Sequence, residues 1–175
     1  YFFTSRVLKQ NAVESLKSRA LTLSSSVDSA VNLANIVSLN VSFSSVLKEH
    51  VEEYLDYPVD PGDPDVRTGK YLKTGRIIDL IQSIVGPFKP VPQVNFYDLR
   101  GGMIGAGVVS RAIDRDYGDA PWIREIDLSS GTKYLSPAHE DELIGETFEI
   151  YRGNLYISLY RTYFDTLRNP VGILE

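Results

Sequence analysis

From Val13 to Val41 the apolar residues Val13, Leu16, Ala20, Leu23, Val27, Ala30, Ala34, Val37 and Val41 recur in steps that alternate between three and four. Such spacing averages 3.5 residues and describes a narrow seam along a helix, not the broad stripe of a helix lying on a core. No Pro or Gly interrupts the chain before Pro58, so nothing forces a break. The pattern predicts a helical spine over residues 1–56, either continuous or as two helices joined by a small kink. Two ordinary bundle helices are the plainer alternative. At 1.5 Å per residue, 40 residues of such a helix run about 60 Å. Serine and β-branched residues, as in Ser24-Ser25-Ser26-Val27, are weak helix formers, so the spine needs a packing partner along its seam.

A net charge of -5 with no basic stripe argues against nucleic acid as a partner. Cysteine is absent and only His50 and His139 represent histidine, which removes disulfides, thiol nucleophiles and a His-rich zinc centre. No cofactor or metal is expected. The aromatic residues are mostly Tyr, 11 against 7 Phe and 1 Trp. A ring with a polar tip suits a ligand cleft and a core rim equally. No run reaches the roughly 20 apolar residues of a membrane span. The chain opens on Tyr1-Phe2-Phe3 without Met and stops inside a strand-like run, as expected of a piece of a longer protein.

After the spine, Tyr57 to Gly75 is rich in Pro, Gly and Asp and reads as a loop. Its Asp60, Asp63 and Asp65 lack the spacing of a calcium loop. Ile77, Ile78, Leu80, Ile81, Ile84 and Val85 follow a helical period from Thr74, closed by Gly86-Pro87. The period then changes to that of strands, beginning near residue 93. These are Val94–Asp98, Met103–Ser110, Thr147–Tyr151, Leu155–Phe164 and Val171–Glu175, with a short strand-like pair at Tyr134-Leu135 and one or two helical turns at Ala120–Ile126. Gly101, Gly102, Gly105 and Gly107 open no helix and precede no Lys-Ser/Thr, so they are turn and packing positions and not a phosphate loop. The expected fold is α+β: a long N-terminal helix and a shorter one packed on a five-stranded antiparallel sheet, with residues 57–175 as a single domain.

The segment Ile157-Ser158-Leu159-Tyr160-Arg161-Thr162-Tyr163, Asp165 after it, and Pro170-Val171-Gly172-Ile173-Leu174-Glu175 resembles the end of a Cache, or PAS-like, domain. Val94-Asn95-Phe96-Tyr97-Asp98 with its Gly turn resembles that sheet's first strand, and the long helix matches as well. Across nearly its full length the chain is similar to the extracytoplasmic sensor region of Gram-positive membrane histidine kinases of the YesM/LytS-like class. That resemblance implies a domain on the outer side of the cell membrane, with membrane spans just outside both ends. It also implies a small-molecule ligand or a partner protein, a homodimeric receptor, and a long helix that passes the signal to a kinase. The fragment itself would not be an enzyme.

Candidate ligand-binding residues are Arg161, Trp122, Arg124, Asp165, Tyr97 and Tyr163. On a two-residue period Arg161 shares a face with Leu155, Ile157, Leu159 and Tyr163, while Tyr156, Ser158, Tyr160, Thr162 and Phe164 share the other. Among apolar neighbours its guanidinium needs an acceptor, either a ligand carboxylate or an internal partner such as Asp165, Asp98 or Glu149. Asp165 suits a ligand amine or the start of a turn. The resemblance puts Trp122 and Arg124 on a segment crossing the sheet as a pocket wall. Trp122 has no neighbouring Tyr of the kind that amino-acid-binding Cache members often pair with it, and as core filler it would look the same. Tyr97 alternates with Phe96. The rival classes are a protein-interaction or envelope-sensing module without a small ligand, and a hydrolase. Ser158 and His139 would need an orienting acid and an oxyanion hole for the latter, and no Gly-x-Ser-x-Gly elbow is present.

Overall fold

The computed structural model describes residues 2–86, 91–114, 117–118 and 120–175. Contacts divide the chain into two units, Tyr1–Leu33 and Ala34–Glu175. A 42-residue helix, α1 (Phe2–Phe43), runs from the first into the second.

In the first unit the side chains of residues 7–30 are all exposed. That includes the seam residues Val13, Leu16, Leu23 and Val27. In the serine-rich stretch hydroxyls bond back to carbonyls four residues earlier, from Thr22 to Ser18 (3.0 Å), Ser26 to Thr22 (3.0 Å) and Ser29 to Ser25 (2.8 Å), which satisfies them within the helix without adding to its stability. No single helix among the described residues is long and apolar enough to cross a membrane.

In the second unit the same seam turns inward, and Val37 and Val41 are buried. The spine breaks at Ser44, which adopts an extended backbone and caps the next helix by accepting from the Leu47 N–H. That helix, α2 (Ser45–Leu55), buries Leu47, Val51 and Tyr54. Next comes α3 (Pro64–Val85), ten residues longer at its start than the periodicity from Thr74 indicates. Asp63 accepts from the Asp65 N–H (2.8 Å) and Pro64 occupies the first turn, so an Asp-Pro pair that reads as loop is a helix start. Gly86 ends α3 at a φ of 81°, while the expected role of Pro87 falls outside the described residues.

Six antiparallel strands, one more than expected, form the main sheet: β1 (Gln93–Asp98), β2 (Gly102–Gly107), β3 (Arg111–Asp114), β4 (Tyr134–Leu135), β7 (Leu159–Phe164) and β8 (Pro170–Leu174). Their order is β3-β2-β1-β8-β7-β4. Two short strands, β5 (His139–Glu140) and β6 (Leu155–Tyr156), pair separately. The run expected as one strand from Leu155 to Phe164 is therefore split at Ile157-Ser158 between two sheets. Thr147–Tyr151, expected as a strand, instead ends the short helix α4 (Glu142–Thr147) and forms a 3-10 turn. The result is an α+β fold of PAS-like architecture.

Alternation gives the sheet two different faces. Toward the helices point Val94, Phe96, Ile104, Ala106, Tyr163 and Leu174, packed on Val37, Val41, Leu47, Val51, Tyr54, Ile77 and Ile81. Tyr97, Met103, Tyr160 and Ile173 point the other way, under Ile126. Gly172 pairs with Tyr163 on one side and Asp98 on the other, and the Phe96 ring lies across it. A Cβ there would come within 2.4 Å of Phe96 Cε2 and 2.6 Å of the Tyr97 carbonyl oxygen. Gly172→Ala should cost about 1–3 kcal/mol of stability through overpacking, read as a lower urea midpoint with an unchanged slope.

Candidate ligand site

The face turned away from the helices carries a cluster of aromatic rings. Trp122 stacks on Tyr160 with centroids 4.6 Å apart and an interplanar angle of 12°. Tyr97 lies 4.9 Å from Trp122 and meets Tyr117 edge-on at 4.7 Å, and Tyr134 extends the stack beyond Tyr160. Trp122 arrives on a 3-10 turn, Pro121–Glu125, whose first residue is preset for the turn by its ring. Thr162 secures the segment that follows by donating to the Asp127 carbonyl (3.1 Å). Trp122 and Tyr134 are half-buried while Tyr160 is fully buried. No Tyr adjoins Trp122 in sequence, yet the fold supplies two.

The hydroxyls of this face converge on one carboxylate. Glu175 follows β8, locked to β1 by a reciprocal pair of backbone hydrogen bonds with Asn95 (2.9 and 2.8 Å). Its Oε1 accepts from Ser158 Oγ (2.7 Å) and the Tyr160 hydroxyl (2.9 Å). Its Oε2 accepts from Asn95 Nδ2 (2.8 Å) and the Tyr97 hydroxyl (2.5 Å). Four neutral donors thus satisfy one half-buried charge. Burial, and then the Glu175 charge, push the Tyr97 and Tyr160 hydroxyls far above the usual phenol pKa, so both remain donors.

Beside this carboxylate lies a cavity of about 80 Å³, lined among others by Val37 and Ser38 of α1, Asn95, Asp141, Ile144 and Glu175. Asp141 caps α4 by accepting from the Ile144 N–H (2.9 Å). Burial raises the pKa of its carboxyl, and the nearby Glu175 adds to the effect.

The sheet separates the residues singled out from sequence. Tyr97 and Trp122 meet on the aromatic face. Arg124, on the same turn as Trp122, is exposed. Arg161 and Tyr163 lie on the helix side, where Tyr163 meets Phe96 edge-on at 5.2 Å. Arg161 is held by neutral acceptors: Asn35 Oδ1 (2.8 Å), the Gly131 carbonyl (2.8 Å) and Ser38 Oγ (3.4 Å). Burial lowers the pKa of its guanidinium. Among the described residues no carboxylate pairs with it within 4.0 Å. Asp165 sits in the β7–β8 turn, where hydrogen bonds from the Asn169 N–H (2.7 Å) and Nδ2 (2.8 Å) outweigh a burial penalty and hold its carboxyl below the usual range.

Sequence reasoning missed Glu175, Asn95, Ser158 and Tyr160. The signal was present for two of them, since Ser158 and Tyr160 share the face opposite Arg161. Ser158 and His139 do approach, at 3.3 Å, but the serine hydroxyl is bonded to Glu175 and the other imidazole nitrogen faces the Pro137 carbonyl (3.0 Å). An acid-oriented nucleophile is not what these contacts build. Among the described residues no group of three acidic or histidine side chains is placed to hold a metal ion.

No family model matches the chain, and no curated protein matches it. Among solved structures, the ligand-binding domain of the Campylobacter jejuni chemoreceptor Tlp3, in complex with 4-methylisoleucine, aligns over 86% of this chain at 13% identity with a TM-score of 0.43. The chain spans 57% of that domain's length. Function is therefore read from the geometry of this chain itself.

Burial raises Asp141 above its unfolded pKa, so folding disfavours its ionised form. The penalty is absent below the unfolded value and grows as pH rises through and beyond it. Asp141→Asn keeps the cap and removes the charge. It should raise the melting temperature at pH about 7, with the gain vanishing near pH about 3.

Proposed function

We propose that this chain is the extracytoplasmic signal-sensing domain of a two-component sensor histidine kinase of the YesM/LytS-like class. It binds a small molecule on the aromatic face and relays occupancy through α1. The observation that carries this reading is the Trp122–Tyr160–Tyr97 ring cluster on the sheet face turned away from α1, α2 and α3. Aromatic walls with convergent polar groups are what small-ligand sites are made of. The relay is supported by Arg161, which joins β7 and the Gly131 loop to Asn35 and Ser38 of α1. A ligand that shifts the loop over the rings pulls on that guanidinium, and so on the spine. The exposed half of the seam, Val13 to Ala30, fits a homodimeric receptor in the cell membrane whose helices pair along it.

A thermal-shift screen against amino acids, carboxylates, sugars, short peptides and divalent cations tests the sensor reading. One chemical class should stabilise the chain in proportion to the logarithm of its concentration above Kd, by about 2.7 kcal/mol at about a hundred times Kd. Trp122→Ala should abolish the shift. Arg161→Ala should retain binding in a folded but less stable protein. No stabilisation by any class would favour the second reading, a module that contacts a partner protein or the cell envelope. Sedimentation of the wild type against Leu16→Asp/Leu23→Asp tests the seam. A dimer fraction lost in the variant is expected, and identical profiles in which both species are dimers would exclude pairing through these residues.

A further inference from the structure

The cavity of about 80 Å³ beside Glu175 is walled by Val37 of α1, Val94 of β1, Ile144 of α4, Leu159 of β7 and Leu174 of β8, all of them buried. A buried water takes about 10–15 Å³ of such space, so there is room here for about five to eight. Protein interiors are close-packed and seldom leave so large a void. Water fills this one poorly, because each molecule needs about two to four polar partners and the side chains of these walls offer none. The polar groups gather instead at one end, where Ser158 and Asn95 donate to Glu175 and Asp141 lies near it.

That end has hydrogen-bond acceptors to spare and almost no hydrogens. Ser158 gives its hydroxyl proton to Glu175 (2.7 Å) and keeps lone pairs. Asn95, only 2% exposed, gives its two amide hydrogens to Glu175 (2.8 Å) and the Tyr97 hydroxyl (3.4 Å). Its Oδ1 accepts one bond, from Gln93 Nε2 (2.8 Å), and has a second lone pair. Asp141 spends Oδ1 on the Ile144 N–H (2.9 Å) and keeps the lone pairs of Oδ2. The Ser38 hydroxyl, farther along α1, is committed to the Asn35 carbonyl (2.9 Å). Of the side chains on the lining, Tyr156 alone brings a hydroxyl without such a commitment. An occupant complementary to this end must donate.

We propose that this cavity is a binding site for a short hydrocarbon carrying one hydrogen-bond donor, a hydroxyl or an ammonium group. The hydrocarbon packs on Val37, Ile144 and Leu174, and the head donates to Asp141 and to the lone pairs of Ser158. A carboxylate head fails twice, because it brings no hydrogen and meets the like charges of Asp141 and Glu175. The occupant touches α1 directly, at the buried stretch of its seam. This site does not rest on the sensor reading above, which places a ligand on the aromatic face.

Methyl NMR on the whole chain tests it with isoamyl alcohol, isoamylammonium and isovalerate, which share one skeleton and differ at the head. The alcohol and the ammonium should shift the Val37, Ile144 and Leu174 methyls saturably and leave the Trp122 indole N–H where it is. Isovalerate should bind at least about tenfold more weakly, the loss of about one hydrogen bond. Ile144→Phe narrows the cavity and should abolish saturable binding of both donors. Asp141→Asn keeps the cap through its Oδ1 and puts an amide NH₂ in place of the second oxygen. It should remove most of the preference over isovalerate, and it carries the test if the phenylalanine variant does not fold. Methyls that none of the three compounds moves, as in a cavity holding water only, overturn the site, and so does isovalerate binding as tightly as the alcohol. Shifts confined to the Trp122 and Tyr160 rings also overturn it, while leaving the aromatic face as the place where ligands bind.

Discussion

Everything in the second unit depends on the pairing of β1 with β8. These are the first and last strands in sequence, yet they lie side by side at the centre of the sheet. Their register sets Phe96 beside Leu174 and Tyr97 beside Ile173, so one strand pair sorts the side chains into a helix face and an aromatic face. A slip of one residue would exchange the two faces. Gly172 guards against that slip, because only a residue without a Cβ leaves room for the Phe96 ring lying over it. The reciprocal backbone bonds between Asn95 and Glu175 then carry the pairing to its last residue and deliver the carboxylate to its donors.

The Glu175 cluster draws on three strands or their flanks, with Asn95 and Tyr97 from β1 and Ser158 and Tyr160 from the start of β7. Bonds to a charged acceptor each contribute roughly 1.5–3 kcal/mol net, and a buried donor left without its acceptor costs about as much. A charge satisfied entirely by neutral donors is also sensitive to the loss of any one of them, since no cation makes up the difference. That sensitivity suits a position where the aromatic face, the cavity beside α1 and the β5–β6 pair all meet.

Features that depend on local pattern were readable from sequence. The spine, the strands around Phe96 and Ile173, the Tyr134-Leu135 edge and the turn at Trp122 follow from periodicity and from Pro or Gly placement. What misled was local chemistry with two meanings. Asp63-Pro64 serves equally as a turn and as a helix start, and the N–H groups it caps decide which. Leu155–Phe164 has unbroken strand composition, but Ser158 gives its N–H to Ser136 and its hydroxyl to Glu175, and the run divides there. The candidate site was only half visible for the same reason. Arg161 drew notice as a charge among apolar residues, while its partners Asn35 and Gly131 lie 126 and 30 residues away, and no spacing rule connects them.

The two halves of the seam meet different fates. Up to Ala30 the apolar side chains of the 3.5-residue pattern stand exposed. From Ala34 the same pattern lies against β7, β8 and the cavity, and Asn35 and Ser38 beside it take hydrogen bonds from Arg161. One continuous helix therefore carries an exposed and a buried stretch of a single seam, because the 3.5-residue spacing keeps the apolar side chains on one side of the helix whether or not anything packs on them. Arg161 ties down the buried stretch: its guanidinium reaches Asn35 and Ser38 of α1 and the Gly131 carbonyl at once, and neutral acceptors hold it less tightly than a carboxylate would.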